Sequence, residues 1–267
     1  MQLELAKKII GDMEKGYNLI SEKFTQTRNH LWKDLEFIGS YCKKGDKVLD
    51  FGCGNGRLLD FLEKKEIEYT GLDISDKLLK EARNRFLNQK QAEFQKISGL
   101  DSLPLENDSF NIIYAIAVLH HVPGKEMRKK IVEEFYRILK PEGTIVITAW
   151  NLWQRKYIKN VIKSWLLKIV GVSLPPHQLS EMLSKLSFFA KIKFIFKRSN
   201  LFYGNWCGGE DWNDCYIDFQ DNRGKIFSRY HHAFTKRELA ELFSQAGFSI
   251  GKCDTINGKN IVLVGSK

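Results

Sequence analysis

Val48-Leu49-Asp50-Phe51-Gly52-Cys53-Gly54-Asn55-Gly56 is an apolar run that breaks into a glycine-rich turn. That pattern predicts a buried strand whose end lets the backbone approach a ligand that side chains would exclude. A second apolar run, Tyr69 to Leu72, closes on Asp73, 23 positions after Asp50. In a doubly wound sheet this is near the spacing at which an acid meets a ribose and accepts from its two vicinal hydroxyls. Together the two stretches point to a cofactor that contains a nucleoside.

The glycine spacing narrows the choice. A dinucleotide site needs G-x-G-x-x-G with pyrophosphate on the helix N-terminus, whereas Gly52, Gly54 and Gly56 form G-x-G-x-G behind an acid. A carboxylate at that strand end repels a diphosphate and suits the ammonium of an amino-acid moiety. The D-x-G-C-G-x-G pattern with a distal acid resembles the class I S-adenosylmethionine-dependent methyltransferases. The resemblance implies S-adenosyl-L-methionine as cofactor, with Asp50, Gly52 and Gly54 at its methionine end and Asp73 on the ribose. Ile74 and Leu100 are expected on the two adenine faces, and Cys53 and Ala115 in the same site. Many relatives carry an acid at the position of Gly99, so here Asp101 or a backbone carbonyl is left to accept from the adenine amine.

The 267 residues, 43% of them hydrophobic, suit one large domain or one domain with an insertion. The residues from Met1 to Gly11 lack the uninterrupted apolar core of a signal peptide, and no run of about 18 apolar residues suggests a membrane span. Five widely spaced cysteines contain no C-x-x-C pair, so neither zinc nor a disulfide framework is expected, and a reduced cytoplasmic setting fits. Net charge is +10, and residues 151–200 hold ten basic residues against Glu181 alone. A solvated helical face normally mixes signs, whereas a one-sign stretch interleaved with Trp153, Tyr157, Trp165 and Phe194 suits a polyanion or an anionic surface.

Periodicity places a helical segment at Tyr17 to Tyr41, strand one at 47–51, a helix at 58–64 and strand two at 69–73. A helix capped by Ser75 over 76–88, strand three at 94–97 and strand four at 110–118 follow. Next come a helix at 125–139, a turn at Pro141-Glu142-Gly143 and strand five at 144–150. Strands alternating with helices predict an α/β fold with a doubly wound, mostly parallel seven-stranded sheet. The alternation breaks at a helix over 153–170, the segment Leu174-Pro175-Pro176 and a second helical stretch from Leu179. It returns with a helix capped by Thr235, stopped by Gly247, and strands at 249–255 and 260–265. The expected organisation is an N-terminal helical segment (1–45), a cofactor-binding core (46–151), a basic and largely helical insertion or lid (152–209), and a C-terminal part of the core sheet (210–267).

Outside the glycine loop the resemblance becomes narrower. Tyr17-Asn18-Leu19-Ile20-Ser21-Glu22-Lys23-Phe24-Thr25-Gln26-Thr27-Arg28, with Trp32, is similar to the N-terminal helix of the tRNA methyltransferases that esterify 5-carboxymethyluridine at the wobble position. Ala115-Ile116-Ala117-Val118-Leu119-His120-His121 resembles that family's double-histidine strand end, Thr148-Ala149-Trp150 with Gln154 its segment after strand five, and Arg229-Tyr230-His231-His232-Ala233-Phe234 its R-Y-Y-H-x-F element. Ile217-Asp218-Phe219 departs from the family's V-P-W-like segment. The resemblance implies a tRNA substrate and, in eukaryotic relatives, a small zinc-binding activator subunit. A carboxylate acceptor, with a pKa of about 4, is already a nucleophile at neutral pH. Such a site needs anion donors rather than a strong base, and Arg28, His120, His121, Arg229 and His232 are the candidates. Two alternatives stay open: a small-molecule, quinone or lipid methyltransferase that rests its lysine-bearing helix on an anionic membrane, and a non-catalytic cofactor-binding subunit.

Overall fold

The computed structural model describes residues 1–100, 102–169 and 210–267. Asp101, the segment from Leu174 to Leu179, Cys207 and the basic residues from Lys185 to Arg198 lie outside the described residues. Five parallel strands, β1 (Lys47–Phe51), β2 (Glu68–Asp73), β3 (Ala92–Lys96), β4 (Phe110–Ile116) and β5 (Leu139–Trp150), form most of one sheet. Numbering a hairpin as β6 (Asp214–Gln220) and β7 (Ile226–His232), the sheet is completed by β8 (Ser249–Ile256) and β9 (Asn260–Ser266). Its order is β3-β2-β1-β4-β5-β9-β8, with β9 antiparallel to both neighbours. The described helices are α1 (Leu3–Thr27), α2 (Arg57–Leu62), α3 (Asp76–Arg85), α4 (Lys125–Ile138), α5 (Ile158–Ile169) and α6 (Lys236–Gln245).

The sequence patterns explain the layers. β1 is buried on both faces, so it reads as a near-continuous apolar run. Alternation divides its side chains: Val48 packs with Leu59, Leu79 and Tyr114 on one face, while Leu49 and Phe51 pack with Ile131, Phe135 and Phe243 on the other. The Ser75 hydroxyl accepts from the Leu78 amide and the Thr235 hydroxyl from the Glu238 amide, so both expected caps form. The turn at Pro141-Glu142-Gly143 is absorbed into β5. Pairing with β4 jumps from Phe110–Leu139 to Ile112–Thr144, and Glu142 takes a φ of +60°.

Two differences from the sequence reading bear on the site. The N-terminal helix starts at Leu3 rather than near Tyr17, and a 3-10 segment from Lys33 to Tyr41 replaces its expected second half. Residues 214–232 do not join the core sheet; they form the separate hairpin β6–β7, paired without a break in register. The hairpin packs on α1 through Phe227 and Tyr230 against Ile9, Met13 and Ile20. Gly16 permits that approach, since a Cβ there would lie 2.0 Å from the Phe227 ring.

Candidate active site

The chain turns from β3 back to β4 beside β1, so the switch point of the sheet lies between the carboxyl ends of β1 and β4. At that point Gly52 adopts a φ of +75°, and a Cβ on it would stand 2.3 Å from Val118, which follows β4. Gly54 and Gly56 are also left-handed, with φ of +57° and +77°. This backbone opens into a cavity whose walls include Gly52, Cys53, Gly54, Asp73, Ile74 and Leu100. Asp73 is aimed there: one oxygen accepts from the Gly54 amide at 2.9 Å and the other from the Ser75 amide at 2.8 Å. Burial raises its pKa, and the Ser75 and Gly54 amides counter that rise. Asn18 of α1 locks the same corner, its side-chain oxygen accepting from the Ser75 hydroxyl and the Lys77 amide.

Two residues expected at the cofactor lie behind the wall. Asp50 is 2% exposed, accepts from the Tyr69 hydroxyl at 2.5 Å and does not line the cavity. Burial raises its pKa to about 7, partly offset by the Tyr69 hydrogen bond and by Arg57. Ala115 is fully buried within β4, and the lining positions are its successors Ile116, Ala117 and Val118. Ala117, with a φ of +59°, is held by bonds from its amide to the Thr148 hydroxyl and carbonyl.

Of the residues expected to meet the acceptor, Arg28, His121 and Arg229 line the cavity, as do Tyr17, Trp32, Arg57 and Trp150. The His121 Nδ1–H donates to the Tyr230 carbonyl at 2.7 Å, which leaves Nε2 to accept from the Tyr17 hydroxyl at 2.9 Å. Burial, reinforced by the charge of Arg229, lowers the His121 pKa to about 3, so the ring is neutral at physiological pH. The three arginines rest on rings rather than on carboxylates. The Arg229 guanidinium lies 5.2 Å from Trp150 and 5.1 Å from Phe219, Arg28 lies 4.8 Å from Phe24, and Arg57 lies 4.3 Å from Trp32. Among the described residues none of the three forms an ion pair. Arg57 Nη1 and Arg229 Nε are buried and find no hydrogen-bond partner among the described residues. Burial and the neighbouring Arg28 lower the Arg57 pKa to about 10, and burial and Arg229 lower that of Arg28.

His232 and His120 fall elsewhere, for a simple reason in each case. Successive strand residues face opposite sides, so the face of β7 that presents Arg229 also presents His231, while Tyr230 and His232 face away. His232 is held between Asp214 at 2.7 Å and Glu238 at 2.6 Å, inside a buried network with Arg128 and Asp211. Burial and Arg128 oppose its charge, yet the two carboxylates outweigh them and its pKa is raised. His120 is fully buried, stacks on Trp150 and His231, and accepts weakly from the Trp150 amide at 3.4 Å. Among the described residues the ring nitrogens of His120, His121 and His231 come within 4.8 Å of one another. Sequence reasoning missed Arg57, which opens the helix directly after the glycine turn and lines the cavity, while His231 is buried behind Trp150 and lines neither cavity.

A doubly wound sheet of this order, with left-handed glycines at its switch point and an acid at the end of β2, is the fold of the class I S-adenosylmethionine-dependent methyltransferases. Sequence comparison agrees: residues 49–147 match the family described as a methyltransferase domain. The chain is 30% identical over 147 residues to the tRNA (carboxymethyluridine(34)-5-O)-methyltransferase of Arabidopsis thaliana, covering 55% of this chain and 34% of that protein. It is 29% identical over 146 residues to a ubiquinone/menaquinone biosynthesis C-methyltransferase of Neisseria meningitidis, covering 54% of this chain and 58% of that one. The chain thus spans well under two thirds of the length of these curated relatives. A solved S-adenosylmethionine-dependent methyltransferase from Methanosarcina mazei superposes with a TM-score of 0.62 at 20% identity, over 89% of this chain and 98% of that one. The cofactor implied is S-adenosylmethionine, and the Gly52 cradle, closed to any Cβ, with Asp73 aimed into the cavity, fits it.

Proposed function

We propose that this chain transfers a methyl group from S-adenosylmethionine to a carboxylate on a tRNA nucleoside, the side chain of a wobble uridine being the acceptor. The observation that carries this reading is the arginine pair. Arg28 and Arg229 flank the donor cavity with no acidic partner among the described residues, so their charges are available to an anion. Asp73 binds the ribose, Ile74 and Leu100 flank the adenine, and Gly52 to Gly54 pass the methionine moiety; Arg57 is placed to meet its carboxylate.

Bound S-adenosylmethionine would supply an electrophilic methyl on a sulfonium. The chain's own residues do the rest by position. Arg28 and Arg229 hold the acceptor carboxylate, and Tyr17, its hydroxyl proton committed to His121, shapes the same wall. The rings of Phe24, Trp32 and Trp150 exclude water from the reacting atoms. No proton has to be removed, because the acceptor is ionised at neutral pH. A neutral His121 with a pKa near 3 is a poor general base, which suits a carboxylate better than a hydroxyl.

A second reading has its own observation. On α5 the apolar side chains Ile162 and Leu166 are 43% and 59% exposed, and α5 also carries Lys159 and Lys163, an arrangement that suits a membrane surface and a quinone or lipid substrate. Offering the protein tRNA that carries carboxymethyluridine, tRNA that lacks it, and a demethylated quinol in vesicles separates the two. Labelling of the first alone is expected, and labelling of the quinol alone would sink the tRNA reading.

A further inference from the structure

A second cavity of about 580 Å³ opens directly outside the donor cavity and shares Arg28, Trp32 and Trp150 with it. That is room for a nucleotide rather than for a methyl acceptor alone. Its walls combine aromatic and basic side chains. Trp150 and Tyr157 stack with ring centroids 5.5 Å apart and planes 15° apart, and Phe219 stands beside them. Lys23 and Lys156 add charge to the lining. The one carboxylate in the lining, Asp34, is taken by Lys259 at 2.6 Å and by Asn257 at 3.0 Å. Among the described residues Lys23 and Lys156 pair with no acid: Lys23 donates to the Gln220 carbonyl at 2.7 Å, and Lys156 lies 5.2 Å from the Tyr157 ring.

We infer that this outer cleft is a subsite for the nucleotide adjoining the acceptor in single-stranded RNA. The base stacks on Tyr157, whose ring already lies against Trp150, and the phosphates run along Lys23 and Lys156. The inference rests on the tRNA reading above and gives it a footprint. Stacking on aromatic faces combined with a basic rim is how single strands are held without reading their sequence. A quinone headgroup would use the rings and leave the lysines without a partner, and an anionic membrane would use the lysines and leave a recessed aromatic platform unfilled. The cleft satisfies both sets of groups only with a ligand that is a base and a phosphate at once. The platform also brings the acceptor nucleoside to Arg28, which belongs to both cavities.

The test measures binding of an unmodified seven-nucleotide single-stranded RNA to the whole chain, with S-adenosylhomocysteine present, by tryptophan fluorescence. Tyr157→Ala is expected to raise Kd about tenfold through loss of one stacked base. Lys156→Gln and Lys23→Gln are each expected to lower the salt dependence of log K by about one unit of slope or less. Affinity for S-adenosylhomocysteine and the far-UV circular dichroism serve as controls for folding. RNA affinity unchanged within twofold in all three variants overturns the subsite, as does loss of binding to vesicles rich in anionic phospholipid with no RNA binding by the parent chain. RNA binding that depends on these residues without methyl transfer to any tRNA leaves the subsite standing and removes the function proposed above. Transfer to tRNA that ignores all three substitutions does the reverse.

Discussion

Arg229 is enclosed by Trp150, Phe219 and Tyr17, and its Nε is buried with no hydrogen-bond partner among the described residues, an arrangement that costs stability unless a ligand repays it. Replacing it with Gln should therefore lower kcat by about 10² to 10³, the scale seen when one preorganised charge donor is lost. Affinity for S-adenosylhomocysteine should change little. A loss of cofactor affinity as large as the loss of rate would instead place Arg229 at the donor. Asp50 gives a second check at this level. Its folded pKa, raised to about 7 mainly by burial, lies above its unfolded value, so the stability it contributes is full below the unfolded pKa and is lost as pH rises through about 7. Asp50→Asn keeps an acceptor for the Tyr69 hydroxyl and removes that loss. In the cofactor-free protein the gain in Tm over wild type should be larger at pH 8 than at pH 5, and an equal difference at both would show that Asp50 is not a buried acid. The sequence placed Asp50 beside the cofactor because motif spacing fixes the strand end, but it carries no sign of Tyr69, the neighbour across the sheet that takes the carboxylate.

The turn after β1 and the contact between α1 and β7 are the two elements that shape the site. Gly52→Ala meets both a left-handed φ and a Cβ 2.3 Å from Val118, so about 1–3 kcal/mol of backbone strain adds to the clash. Adding Val118→Ala should recover only the steric part of the lost stability; full recovery in a denaturant titration would show that the φ carries no strain. Gly16→Ala tests the other element. Within a helix alanine is favoured over glycine by about 1 kcal/mol, yet a Cβ at Gly16 falls 2.0 Å from the Phe227 ring, and overpacking costs about 1–3 kcal/mol. The single substitution should destabilise, and Gly16→Ala with Phe227→Leu should be the more stable of the two variants. A stabilised single variant would mean that the hairpin does not dock on α1 as described. Helices and parallel strands were legible because period and caps are local: Ser75 and Thr235 form the caps their positions suggested. The hairpin was not, since its strands answer to α1 more than 180 residues away, and neither Gly16 nor Phe227 declares that contact alone. The same long-range packing decided the histidines, because once β7 is a strand with Arg229 facing the cavity, alternation turns His232 away to Asp214 and Glu238.

Taken as a whole the molecule carries a glycine-cradled cavity beside the carboxyl ends of β1 and β4, with arginines in its wall, and an aromatic and basic cleft that shares Arg28, Trp32 and Trp150 with it. The described part of the basic run contributes less free charge than its composition suggests. Lys168 is 8% exposed and donates to the carbonyls of Asp211, Trp212 and Asp214, so it fastens α5 to the hairpin rather than facing a partner. A carboxylate held by Arg28 and Arg229 would become a methyl ester on transfer. The most direct measurement is the alkali stability of the methyl group transferred to tRNA. A label donated by S-adenosylmethionine should enter tRNA containing carboxymethyluridine and leave as methanol in mild alkali, because a methyl ester hydrolyses there. A label that enters tRNA and survives the same treatment would be an ether, amine or carbon methyl, and would contradict the account.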